Sequence, residues 1–105
     1  MMLPGVSERY AQMGYRIWMT KDGTTSTWVR MTTSHLRNVA NMLERRVLAN
    51  VTAEIDAAYG MLQMLRGEMA IDAVDHGLLQ LQEAEAEIRQ LIDDMRNYAD
   101  WRDGI

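Results

Sequence analysis

Seven side chains between positions 16 and 45 have the chemistry to hold an anionic, ring-bearing ligand: Arg16, Trp18, Trp28, Arg30, His35, Asn38 and Arg45. Guanidinium groups pair with phosphate oxygens through charge-assisted, often bidentate hydrogen bonds, indole rings offer stacking faces, and His and Asn read polar edges. The same residues support a purely structural reading. In it both tryptophans anchor a hairpin onto a helix, and the arginines snorkel outward.

Other chemistries find no matching set. Cysteine is absent, which excludes thiolate nucleophiles, thiolate metal sites and a disulfide framework. The two histidines, His35 and His76, are far apart in sequence, and neither has a second ligand at the i, i+4 spacing of a helical metal site. No glycine falls into a phosphate-loop or dinucleotide fingerprint. Glu83, Glu85 and Glu87 alternate along a helix and point to different sides, so they form no carboxylate pair and read as solvated surface. Asn50-Val51-Thr52 matches the glycosylation tripeptide, which has no meaning in a cytoplasmic chain. The expectation is a protein with no catalytic residues, no metal and no cofactor.

The elements that must position these residues follow from periodicity. Residues 1 to 14 carry Pro4, Gly5 and Gly14 with few periodic apolar positions and read as a loose arm, with one helical turn after Ser7. Residues 15–31 read as a β-hairpin, because β-branched and aromatic runs flank Asp22-Gly23. A two-residue turn there sets Ile17 opposite Trp28. A longer, bulged loop sets Trp18 opposite Trp28 and Arg16 opposite Arg30. An isolated hairpin is marginal in water, so this one must lie on helices or pair with another copy.

Thr32-Thr33-Ser34 supplies N-caps for a first helix over 34–49, with Leu36, Val39, Leu43 and Val47 at helical spacing. Two coiled-coil-like seams follow, one from Leu48 through Val51, Ile55, Ala58, Leu62 and Leu65 to Met69, the other from Val74 through Leu81 and Ile88 to Tyr98. Between them Asp75-His76-Gly77 is the expected reversal, which makes 50–105 a long antiparallel helical hairpin. The fold class is α+β and mostly helical: an N-terminal hairpin, a short helix and two long antiparallel helices.

With 105 residues, 48% hydrophobic and 25% charged, residues 1–105 are expected to form a single folded domain. No apolar run suits a membrane span or a signal peptide. The net charge is -4, but residues 1 to 49 carry seven basic against three acidic side chains and 50 to 105 carry four against twelve. A basic half attracts phosphate-bearing ligands that an acidic chain would repel, although two such halves can also simply pack on one another or on a neighbour. Ten methionines suit an adaptable apolar interface or core. Two apolar seams and a marginal hairpin on so small a chain predict an even-numbered homo-oligomer.

The segment Ile17-Trp18-Met19-Thr20-Lys21-Asp22-Gly23, then Met31-Thr32-Thr33-Ser34-His35-Leu36-Arg37-Asn38 and Met42-Leu43-Glu44-Arg45, resembles a pattern of small phage and prophage proteins. In that pattern a Trp-containing strand and a Gly turn precede Met-x-x-x-His-Leu-x-Asn and a Met-Leu-Glu-Arg helix end. Proteins that look like this include the Thoeris anti-defence sponges, which sequester the cyclic ADP-ribose signal of bacterial immunity and in some members cyclic oligonucleotides. The similarity covers residues 16 to 46, and only Trp18, His35 and Asn38 carry over by position. The resemblance implies a small sheet with long helices, assembly into dimers or higher oligomers, and a nucleotide held at subunit interfaces. It further implies action in the host bacterial cytoplasm, with a small cyclic nucleotide as partner and neither membrane nor double-stranded nucleic acid. Two alternatives remain open: a protein-binding inhibitor of a host factor, which uses the acidic half as its surface, and a helical phage assembly protein.

Overall fold

The computed structural model of the chain describes residues 4–65 and 67–104. It is mostly helical, with one antiparallel hairpin near the N-terminus, as the sequence predicts. In chain order the elements are α1 (Pro4–Met13), β1 (Ile17–Met19), β2 (Thr25–Thr27), a 3-10 turn (Trp28–Arg30), α2 (Thr33–Met42), a π-helical segment (Leu43–Leu48), α3 (Ala49–Met64) and α4 (Glu68–Asp103). Where one domain is expected over 1–105, the chain packs as two compact units, Met1–Ala40 with Asp93–Ile105, and Asn41–Ile92.

In the first unit, helix α1 occupies most of the expected loose arm, from Pro4 to Met13. The stack of Tyr10 on Trp101, centroids 5.6 Å apart and planes 18° from parallel, holds it in place. The Tyr10 partner lies ninety-one residues away, so local pattern carries no sign of it. The hairpin takes neither expected register: Ile17 pairs with Thr27, Trp18 with Ser26 and Met19 with Thr25. The loop is Lys21-Asp22-Gly23, with the Gly23 amide donating to the Thr20 carbonyl at 3.0 Å and Gly23 at φ 87°. A three-residue loop with glycine in the left-handed position matches strand twist. The added loop residue therefore precedes Asp22 instead of following Gly23.

Asp22 fixes this loop. Its carboxylate accepts from the Thr20 hydroxyl, and Oδ1 also accepts from the Thr24 amide at 3.0 Å. These bonds, the Thr20 hydroxyl foremost, lower its pKa from 3.8 to about 2. A carboxyl depressed on folding contributes to the hairpin above its unfolded pKa, and that contribution is lost as pH falls through the window from 3.8 to about 2. The Asp22 carboxyl resonance is accordingly expected to titrate near 2, and Thr20→Ala to move its midpoint up toward 3.8. An unchanged midpoint in that variant overturns the assignment.

After Thr27 the strand ends in the 3-10 turn, closed by Met31 N–H to the Trp28 carbonyl at 3.1 Å. Thr32 is the cap of α2, its Oγ1 accepting from the His35 amide at 3.1 Å. Leu36, Val39 and Ala40 of α2 are buried, as are Trp28 and Met31. From α4, Met95, Tyr98 and Ala99 are buried at i, i+3, i+4 spacing, one helical stripe. Arg37 pairs with Asp100 at 2.9 Å and Asp103 at 2.8 Å. Those carboxylates raise its pKa, Asp100 most.

Gly14, between α1 and β1, is required by close approach. A Cβ there would lie 2.8 Å from the Tyr98 hydroxyl and 3.2 Å from Val29 Cβ. Since Tyr98 is only 2% exposed, its ring has little room to yield. Gly14→Ala is expected to cost about 1 to 2 kcal/mol through overpacking, seen as a lowered melting temperature. A wild-type melt would refute it.

In the second unit the helical path runs through the expected boundary between 49 and 50 without interruption, from the π-wound Leu43–Leu48 into α3. The helix ends at Met64 instead of at Asp75–Gly77: Leu65 is extended, Gly67 sits at φ 100°, and α4 begins at Glu68. Gly77 lies inside α4 with open space around it, a residue the helix merely tolerates. The first seam therefore stops before Met69, which is 88% exposed. Within this unit α3 and the Glu68-to-Ile92 part of α4 run antiparallel, since Gln82 donates to the Tyr59 hydroxyl at 2.9 Å and Thr52 to Glu85 at 3.4 Å. Leu43, Leu48, Ile55, Leu78 and Ile92 are its buried apolar side chains. Among the described residues, no helix is long and apolar enough to cross a membrane.

Candidate ligand-binding cleft

The hairpin register decides which side chains share a face, because successive strand residues point to opposite sides. Pairing continues beyond the strands, with Trp28 N–H to Arg16 O at 2.9 Å and Val29 N–H to Gly14 O at 2.8 Å. Arg16 thus stands opposite Trp28, and the two share a face with Trp18 and Ser26. Tyr15, Ile17, Met19, Thr25, Thr27 and Val29 form the other face.

The first of these faces is structural. Trp28 is 1% exposed, with the Arg16 guanidinium 4.5 Å from its ring centroid and Tyr98 at 5.9 Å. Arg16 is held there by Asp94 at 2.8 Å. A cation–π pair locked by a carboxylate leaves Trp28 no open surface for a ligand ring. Trp28 is therefore a core anchor and not a stacking face, and Arg16 is committed to its neighbours instead of to phosphate. Trp18, paired with Ser26, is half-buried.

The opposite face is open. Tyr15 is 76% exposed, Ile17 70%, Met19 64% and Val29 51%. Tyr15, Ile17 and Val29 line a cleft of about 510 Å³ together with Thr25, Thr27 and Arg30. Among the described residues Arg30 has no hydrogen-bond acceptor or carboxylate partner. Its five guanidinium donors are free for an anion, and two threonines with the Tyr15 phenol can supply further hydrogen bonds. A second cavity of about 400 Å³ shares Tyr15 and Val29 with the first and is otherwise lined by Ala11, Gly14, Tyr98, Trp101 and Arg102. Both volumes fall within the ordinary range of small-molecule sites, roughly 300 to 1,000 Å³.

Of the seven predicted site residues, one lines the cleft: Arg30. His35 and Asn38 are exposed on α2 and do not line it. Arg45 belongs to the second unit, exposed on the π-helical segment, where its Nε donates to the Asn41 carbonyl at 3.4 Å. Tyr15 escaped the sequence reading, although its alternation with Ile17 and Met19 marks an apolar strand face. Tyr98, Trp101 and Arg102, at i, i+3, i+4 spacing on α4, also lie outside the predicted set, whose seven members all fall between positions 16 and 45. Among the described residues, no group of three His, Cys, Asp or Glu could hold a metal ion. His76 faces Gln80, with 3.3 Å between Nε2 atoms.

No known protein family, curated protein or solved structure matches this chain.

Proposed function

We propose that this chain is a non-catalytic phage anti-defence protein that binds a cyclic nucleotide immune signal in the host cytoplasm and withholds it uncleaved. The observation that carries the reading is Arg30, a guanidinium unpaired among the described residues, beside an exposed tyrosine and two threonines in a cleft of nucleotide size. Sequestration requires affinity and exclusion of water, not a nucleophile and base. A single open cleft excludes water poorly. A second copy laid on the apolar Tyr15, Ile17, Met19 face would close it, in keeping with the expected even-numbered homo-oligomer.

Native mass spectrometry after incubation with cyclic ADP-ribose and cyclic oligonucleotides tests ligand and stoichiometry together. The expected spectrum shows an even multiple of 12.1 kDa carrying nucleotide, and the ligand returns with unchanged mass after heating. Protein that retains no nucleotide, or that releases a cleaved one at turnover, overturns the proposal. A second reading, inhibition of a host protein, is favoured by the exposed apolar side chains of the second unit, Met61 at 52%, Met64 at 83% and Met69 at 88%. In that case a host polypeptide co-purifies and the nucleotide is absent.

A further inference from the structure

We infer that the cleft selects a ligand with one phosphodiester charge and a planar ring per chain, in preference to one bearing a pyrophosphate. The inference rests on the nucleotide-binding reading and narrows it to phosphodiester-linked signals. Its basis is a count of the cations that can reach the ligand. Arg30 lines the first cavity and is unpaired among the described residues. Arg16 lies on the opposite face of the hairpin, bound to Asp94 and stacked over Trp28. Arg102 lines the second cavity, but its Nη1 donates to the carbonyls of Trp28 and Met31. One free guanidinium matches one singly charged phosphodiester, through two parallel N–H···O bonds. A pyrophosphate would leave a second charge facing neutral hydroxyls and apolar side chains with no second cation among the lining residues, and once a second copy covers the cleft such an unpaired, desolvated charge is costly.

The ring finds its place through Tyr15. This side chain and Val29 form the wall common to both cavities, one holding Arg30 and the threonines, the other Tyr98 and Trp101. The phenol ring, 76% exposed, is free for stacking. A nucleoside base against Tyr15 on the aromatic side, with its phosphodiester turned toward Arg30, uses both cavities at once.

Isothermal titration calorimetry on the full chain with adenosine, 3′,5′-cyclic AMP and ADP separates the contributions of ring and charge. Cyclic AMP is expected to bind roughly tenfold or more tightly than adenosine, the worth of one charge-assisted contact, and more tightly than ADP. Arg30→Gln should erase the gap between cyclic AMP and adenosine while the affinity for adenosine stays. Tyr15→Ala should weaken both by roughly tenfold, and thermal melts of both variants should match wild type, since these side chains are exposed. ADP binding as tightly as cyclic AMP, or an unchanged ratio of cyclic AMP to adenosine in Arg30→Gln, overturns the inference. If native mass spectrometry shows a retained pyrophosphate-bearing signal, sequestration stands and the single-charge preference falls. If no nucleotide of any charge is retained, both fall.

Discussion

Trp28→Ala is expected to cost about 3 to 5 kcal/mol, the usual range for removing a fully buried large aromatic, and to lower the melting temperature sharply. The indole is 1% exposed, packs at 5.9 Å from Tyr98 and carries the Arg16 guanidinium over its ring at 4.5 Å. Alanine would open a cavity where neighbours from the hairpin and α4 meet, and would strip Arg16 of its cation–π partner. The indole Nε1–H is buried without an acceptor among the described residues. Phenylalanine removes that orphan donor and most of the volume loss, so Trp28→Phe should cost less than half as much as alanine. Equal losses for the two variants would show that the N–H is satisfied in solution. A Trp28→Ala protein that melts normally and loses only nucleotide affinity would return this residue to the binding site.

Elements with a local signature were legible, while those set by distant partners were not. The Asp22-Gly23 signal correctly placed a hairpin, and Thr32 correctly opened a helix, because turn and cap chemistry act over three or four residues. The register differs by one residue from the expected two-residue turn and by two from the bulged loop, since Asp-Gly also fits a three-residue loop that begins at Lys21. That slip changed which side chain faces Trp28, and with it the role assigned to Arg16. Helix α1 was illegible because Trp101 supplies the surface on which Tyr10 stacks. The reversal was sought at Asp75-His76-Gly77, yet a helix accepts one glycine at a cost of about 1 kcal/mol, and Gly67 served the turn. The site was half legible: an unpaired arginine near the hairpin was within reach of the sequence. Which arginine remained unpaired depended on Asp94, some eighty residues away, as Arg16's partner.

Arg102→Met should cost about 2 to 4 kcal/mol, because it deletes two charge-assisted hydrogen bonds while keeping most of the apolar stem. Nη1 of Arg102 donates to the Trp28 carbonyl at 3.3 Å and to the Met31 carbonyl, so one guanidinium spans both ends of the 3-10 turn. Trp28 O also accepts from the Met31 amide at 3.1 Å, whereas no other donor to Met31 O is found among the described residues. Methionine would leave that carbonyl without its partner in a half-buried setting, and lysine, a point charge lacking the planar fork, should restore only part of the loss. Arg30 lies within this turn, so loosening it should also disturb the cleft. Amide hydrogen exchange should therefore quicken at Trp28 to Met31, and the affinity for cyclic AMP should fall even at temperatures where the variant remains folded. Faster exchange without a change in affinity would separate the turn from the binding site. Unchanged melting and exchange would show that the guanidinium does not hold the turn at all.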